Sequence, residues 1–177
     1  NPPPVTQCSD GLDNEGDGLF DYPNDPCWGY AADNDEYNAI VGECGPSIDV
    51  QPFPGSGTVE GDRTGPAPNE LVGACGGLGP EFAWTFEVTQ TSALLVQTNF
   101  PETTLDTILY VRSICRDPMT ELGCDDDSGT SGGGKASVLT IPSVEPDTYF
   151  IIVDAFGPGS LGEFKLTVEE RSGLGSS

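Results

Sequence analysis

Phe82-Ala-Trp-Thr-Phe-Glu-Val88 is the stretch on which the fold turns. Successive side chains of an extended chain point to opposite faces, so Phe82, Trp84, Phe86 and Val88 share one face, and a strand with one buried side is expected. Downstream, strand candidates follow at 92–99, 107–113, 136–141, 148–154 and 162–170. In the second of these, Ile108, Tyr110 and Arg112 lie on one side and Leu109 and Val111 on the other; in the last, Phe164, Leu166 and Val168 share a face. Turn-forming clusters separate the candidates at short, fairly regular spacing, and no amphipathic helix interrupts them. The pattern predicts an all-β chain folded as an antiparallel β-sandwich.

Upstream the character changes. Residues 45–68 are rich in proline and glycine, with short strand candidates at 48–52 and 58–62, and read as a connection to a sandwich spanning 69–171. Residues 8–44 are acidic and poor in aliphatic side chains. Such a segment cannot fold around an apolar core and needs disulfides or metal. Residues 1–7, Asn-Pro-Pro-Pro-Val-Thr-Gln, form an extended polyproline-like arm, and 172–177 a polar tail.

Charge narrows the functional classes. The 177 residues include 29 acidic and 6 basic ones, a formal net charge of −23, and no Lys or Arg occurs before Arg63. Nucleic acid and anionic membrane surfaces are poor partners for so acidic a chain, and no apolar stretch is long enough to span a bilayer. Crowded carboxylates repel by about 1 kcal/mol per close pair even in water, so cations are expected to neutralise them. Six cysteines with no histidine point to disulfides and an oxidising, secreted setting rather than to zinc or thiol chemistry. The chain begins at Asn1 without Met, as a processed secreted protein would, or a fragment of a longer one. No Asn-x-Ser/Thr acceptor is present.

The densest chemistry lies between Cys8 and Cys27. Asp13, Glu15 and Asp17 alternate and Gly18 follows. Calcium takes six to eight hard oxygen ligands, and alternating carboxylates ahead of a glycine let a chain curl around one ion. By the spacing of an EF-hand loop, the Leu19 carbonyl and Asp21 would complete the ring, with Asp25 beside Asn24 where an EF-hand carries its last Glu. The prolines that follow exclude flanking helices. A solvated acidic loop is the alternative reading.

Cys8-Ser-Asp-Gly-Leu-Asp-Asn-Glu-Gly-Asp-Gly18 resembles the aspartate-rich repeats of thrombospondin type 3 and related bacterial calcium-binding modules. Glu15 departs from the Asp or Asn usual there. The resemblance implies a second acidic cluster after the closing cysteine, matched by Asp33-Asn-Asp-Glu36. Asp10, Asp33, Asp35 and Glu36 are therefore candidates for a second calcium, or for completing the first shell.

Residues 69–171 resemble the bacterial pre-peptidase C-terminal domain. The resemblance rests on the series Glu81-Phe-Ala-Trp-Thr-Phe86, Leu105-Asp-Thr-Ile-Leu-Tyr-Val111, Cys124-Asp-Asp-Asp-Ser128 and Thr148-Tyr-Phe-Ile-Ile-Val-Asp154. It implies a jelly-roll-like sandwich and an accessory role on secreted enzymes or surface proteins, in a family some of whose members bind calcium. Asp125, Asp126 and Asp127 are candidate calcium ligands, with Asp106 or Asp154 as further ones; an exposed acidic turn is the alternative. Local pairing of the cysteines would give Cys8–Cys27, Cys44–Cys75 and Cys115–Cys124, a preference rather than a deduction.

Enzymatic readings find little support. Without histidine there is no Ser-His-Asp or Cys-His site, Gly132-Gly-Gly-Lys135 lacks the P-loop spacing, and Asp106-Thr-Ile lacks the glycine of an aspartic-protease signature. Two non-catalytic roles remain. One is a self-assembling filament or surface-layer subunit, whose arm lies along a neighbouring copy's sheet edge by strand addition. The other is an adhesion or targeting module that binds an extracellular polymer, with Trp28, Tyr30 and Tyr37 as candidate contacts.

Overall fold

The computed structural model describes residues 44–55, 57–65 and 69–172. The chain divides after Val41, and all described residues belong to the second unit, Gly42–Ser177. The arm, the expected calcium ligands Asp10, Asp13, Glu15, Asp17, Leu19, Asp21, Asp25, Asp33, Asp35 and Glu36, the pair Cys8–Cys27, and Trp28, Tyr30 and Tyr37 lie outside the described residues.

Nine strands are described: β1 (Val50–Pro52), β2 (Thr58–Arg63), β3 (Phe82–Val88), β4 (Ser92–Gln97), β5 (Thr107–Arg112), β6 (Glu121–Asp126), β7 (Val138–Val144), β8 (Asp147–Ala155) and β9 (Gly162–Ser172). One sheet runs β1-β3-β8-β5-β6 and the other β2-β9-β4-β7. Pairings nest from the outside inward, β2 with β9, β3 with β8, β4 with β7 and β5 with β6, all antiparallel. That nesting, split over two packed sheets, is a jelly roll. β1 is an addition outside it and runs parallel to β3 at the sheet edge, Val50 opposite Ala83. The short strands at 48–52 and 58–62 are thus members of the two sheets.

Alternation sets the core. Trp84 and Val88 of β3 face between the sheets with Leu94 and Val96 of β4, Leu109 and Val111 of β5, Ile151 and Val153 of β8, and Phe164, Leu166 and Val168 of β9; Phe82 and Phe86 pack against them. Each such side chain taken from water contributes about 1.5–3 kcal/mol. Phe82 stacks on Trp84, and Phe164 meets both rings edge-on. The other face of the five-stranded sheet is covered as well. Ile108, Tyr110, Phe150 and Ile152 lie beneath Cys44, Ile48, Leu71 and Cys115, so all six residues of β5 are buried.

Two expectations are corrected here. The bridges are Cys44–Cys115 and Cys75–Cys124, with Cα–Cα distances of 5.0 and 5.7 Å, not Cys44–Cys75 and Cys115–Cys124. The reason is β6, a strand where a loop between cysteines was expected. Its pairing sets Cys124 opposite Tyr110, well before Cys115 along the chain. Cys124 there meets the segment carrying Cys75, while Cys115 is buried against Cys44. A local bridge between Cys115 and Cys124 would dismantle the β5–β6 ladder.

Candidate metal centre

Asp106 immediately precedes β5, Asp126 ends β6, and Asp127 follows in the left-handed region at φ 61°. Because Asp126 pairs with Ile108, the antiparallel ladder brings the three carboxylates to one end of the sheet. One oxygen from each lies within 4.8 Å of the others. Asp106 Oδ1 and Asp126 Oδ1 are both buried and without a hydrogen-bond partner, an arrangement that is costly unless a cation or water fills the gap. Burial, and then the neighbouring carboxylates Asp127, Asp106 and Asp125, push the Asp126 carboxyl above its ordinary range. Lys135 Nζ stands 3.4 Å from Asp106 Oδ2, on a half-exposed side chain.

The surrounding loop is well tied. Asn99 Oδ1 accepts the N–H groups of Thr130 and Ser131 at 3.0 and 2.9 Å. Gly129 N–H donates to the Ala136 carbonyl, and Thr107 N–H to that of Lys135. Below, the buried hydroxyls of Thr98, Thr107 and Ser137 join in a chain at 2.8 and 3.0 Å. These bonds hold the start of β5 and the turn after β6 in fixed relation. The donor set is all oxygen, with no nitrogen or sulfur ligand, which suits a hard cation such as calcium; carbonyls and water would have to supply the rest of its shell.

Of the residues singled out in the sequence, Asp126, Asp127 and Asp106 come together. Asp125 does not. Its carboxylate accepts the Ser128 hydroxyl and, at 2.7 Å, the N–H of Val138, which ties β6 to β7. Asp154 is also apart from the cluster, separated from Asp126 by Ile108 in the same row of the sheet. It is fully buried, takes the Tyr110 hydroxyl on Oδ2 at 3.3 Å, and has no partner on Oδ1. Burial first, and then the charge of Glu81, raise its carboxyl to about 8. An open groove of about 290 Å³ on the four-stranded sheet, lined by Glu60, Asp62, Glu102 and Glu163 with Gly61 and Phe164, was not anticipated from the sequence. Its carboxylates come from separate segments: the β2–β9 pairing sets Asp62 opposite Glu163, and bonds from Thr104 and Leu105 to the Glu163 carbonyl bring the loop carrying Glu102 alongside.

Among the described residues, no helix is long and apolar enough to cross a membrane. No protein-family model and no curated protein matches the chain. Among solved structures, the chain is similar to the pre-peptidase C-terminal domain of a collagenase from Bacillus anthracis, at 14% identity over 70% of this chain and 93% of that domain, with a TM-score of 0.43.

Proposed function

We propose that this chain is a calcium-binding, non-catalytic structural subunit of an extracellular assembly, joined to copies of itself. The observation that carries the calcium part is the pair of buried, unpartnered carboxylate oxygens on Asp106 and Asp126, with Asp127 alongside. Asp106, Asp126 and Asp127 would hold the ion, whose contribution is charge neutralisation and cross-linking of β5 to β6 rather than chemistry. Two disulfides among the described residues fit an oxidising, extracellular setting. Self-assembly draws support from β1 and β2, each the last strand of its sheet among the described residues, and a sheet's end is where a further strand can add. Glu60 and Asp62 on β2 would discourage that pairing until cations screen them. The test is light scattering in calcium and then in excess chelator. Assembly that loosens on chelation supports the reading; a monomer in both conditions refutes self-assembly.

A second reading, a targeting module that docks on an extracellular polymer, is favoured by Leu78 and Phe156. These residues are 59% and 54% exposed. Their backbones are bonded together, and Phe156 N–H bonds to the Asp106 carbonyl, so the apolar pair borders the carboxylates. Binding to immobilised protein or polysaccharide by a chain that stays monomeric would select this reading.

A further inference from the structure

Residues 70–79 cross the outer face of the five-stranded sheet as a strap, and glycine allows the closeness. A Cβ on Gly73 would stand 2.7 Å from the Tyr110 ring and 2.9 Å from Cys124 Sγ. A Cβ on Gly77, at φ +102°, would overlap the Asp154 carboxylate. The strap is fastened at its start, where Glu81 Oε1 accepts the N–H groups of Glu70 and Leu71 at 2.8 and 2.6 Å. In the middle, Arg112 donates to the Val72 carbonyl, Ala74 N–H donates to Glu121, and Cys75 is bridged to Cys124. At its end the fastening is light: Leu78 N–H to the Phe156 carbonyl at 3.3 Å and Gly79 N–H to that of Ala155 at 2.9 Å. Beneath this end lies Asp154, with no surface exposed and one bare oxygen.

The groups facing Asp154 offer no free cation. Tyr110 of β5 donates its hydroxyl, and the N–H groups of Ala155 and, on the strap, Gly79 also favour the ion, but burial and the charge of Glu81 outweigh all three. Arg112, also on β5, is taken up by Glu121 and by the carbonyls of Cys115 and Val72. Glu81, ahead of β3, is a second buried acid with an unpartnered oxygen, and burial raises its carboxyl too. Asp126 on β6, on the far side of Ile108 in the same row, adds only negative charge. An ionised Asp154 would therefore be a buried charge without a counter-ion, a costly state that opening to water relieves.

We propose that Asp154 is a proton-operated latch: protonated, it lets the strap lie flat under Gly77, and on losing its proton it lifts residues 76–79 from the sheet and uncovers Ile108. The direction follows from linkage. The closed state holds the proton up to a pH of about 8, whereas an exposed Asp releases it near 4. Stability of the closed strap is therefore complete at low pH, falls as pH rises between those values, and levels off above the higher one. Closure is favoured in mildly acidic surroundings and opening in alkaline ones.

Amide exchange tests this, with each rate divided by the intrinsic rate at the same pH. Protection at Leu78 and Gly79 should fall by up to about a hundredfold from pH 6 to pH 9, while amides of β8 hold theirs. Asp154→Asn, which keeps the shape and removes the titration, should make strap protection independent of pH. Tyr110→Phe removes the hydroxyl that favours the ion and should move the fall to higher pH. Flat protection in the unmodified chain, or an unchanged fall in Asp154→Asn or in Tyr110→Phe, would overturn the proposal.

Discussion

Arg112 is the residue on which most of the outer face depends. Only 1% of it is exposed, its guanidinium lies 4.8 Å above the Tyr110 ring, and its nitrogens reach Glu121 and two carbonyls. Arg112→Met keeps the bulk and leaves Glu121 buried beside no cation, so a loss of about 3–5 kcal/mol is expected, read by urea unfolding. Alternation along 107–112 already puts Arg112 beside Ile108 and Tyr110, and the structure agrees. The three consecutive aspartates were not separable in the same way. Asp125, Asp126 and Asp127 look equivalent until β6 is known to be a strand; its pleat then sends Asp125 to Val138 and Asp126 to Asp106. Asp125→Asn should accordingly leave calcium affinity near that of the unmodified chain, whereas Asp126→Asn should weaken it at least tenfold, by calorimetric titration.

At the scale of elements, β3, β5, β8 and β9 were legible because their apolar residues alternate or run together. β6 was not. Glu121-Leu-Gly-Cys-Asp-Asp shows no such pattern, because β6 is an edge strand of mostly half-buried, largely polar residues, with Gly123 close to Leu139. Charge on an edge guards against pairing with another chain and hides the strand from a hydrophobic pattern. Missing β6 also led to the wrong cysteine partners. Bridges spanning 71 and 49 residues replace local ones, and by chain entropy each contributes about 4 kcal/mol. Peptide mapping without reduction should recover 44 linked to 115 and 75 to 124. Replacing both Cys75 and Cys124 with Ser should cost roughly that energy, less any native-state strain relieved, and should release the middle of the strap.

For the whole molecule, a net charge of −23 is the dominant fact. Like charges oppose compaction and association alike, and cations screen both. Calcium at a hundredfold its Kd would stabilise the folded chain by about 2.7 kcal/mol per site, which thermal unfolding with and without chelator would read. The jelly roll was foreseeable from strand spacing together with the motif series, while the closure of its outer face by residues 44–50 and 70–79 was not. Glycine and proline make those segments look like linker, although glycine is what lets the strap lie against Tyr110 and Asp154.

The most direct measurement is a calorimetric calcium titration of the full chain beside the Asp106→Asn, Asp126→Asn double variant. The variant, folded as judged by its thermal transition, should bind one calcium fewer than the unmodified chain. Equal stoichiometry and affinity in the two would contradict a calcium site at the end of β5 and β6.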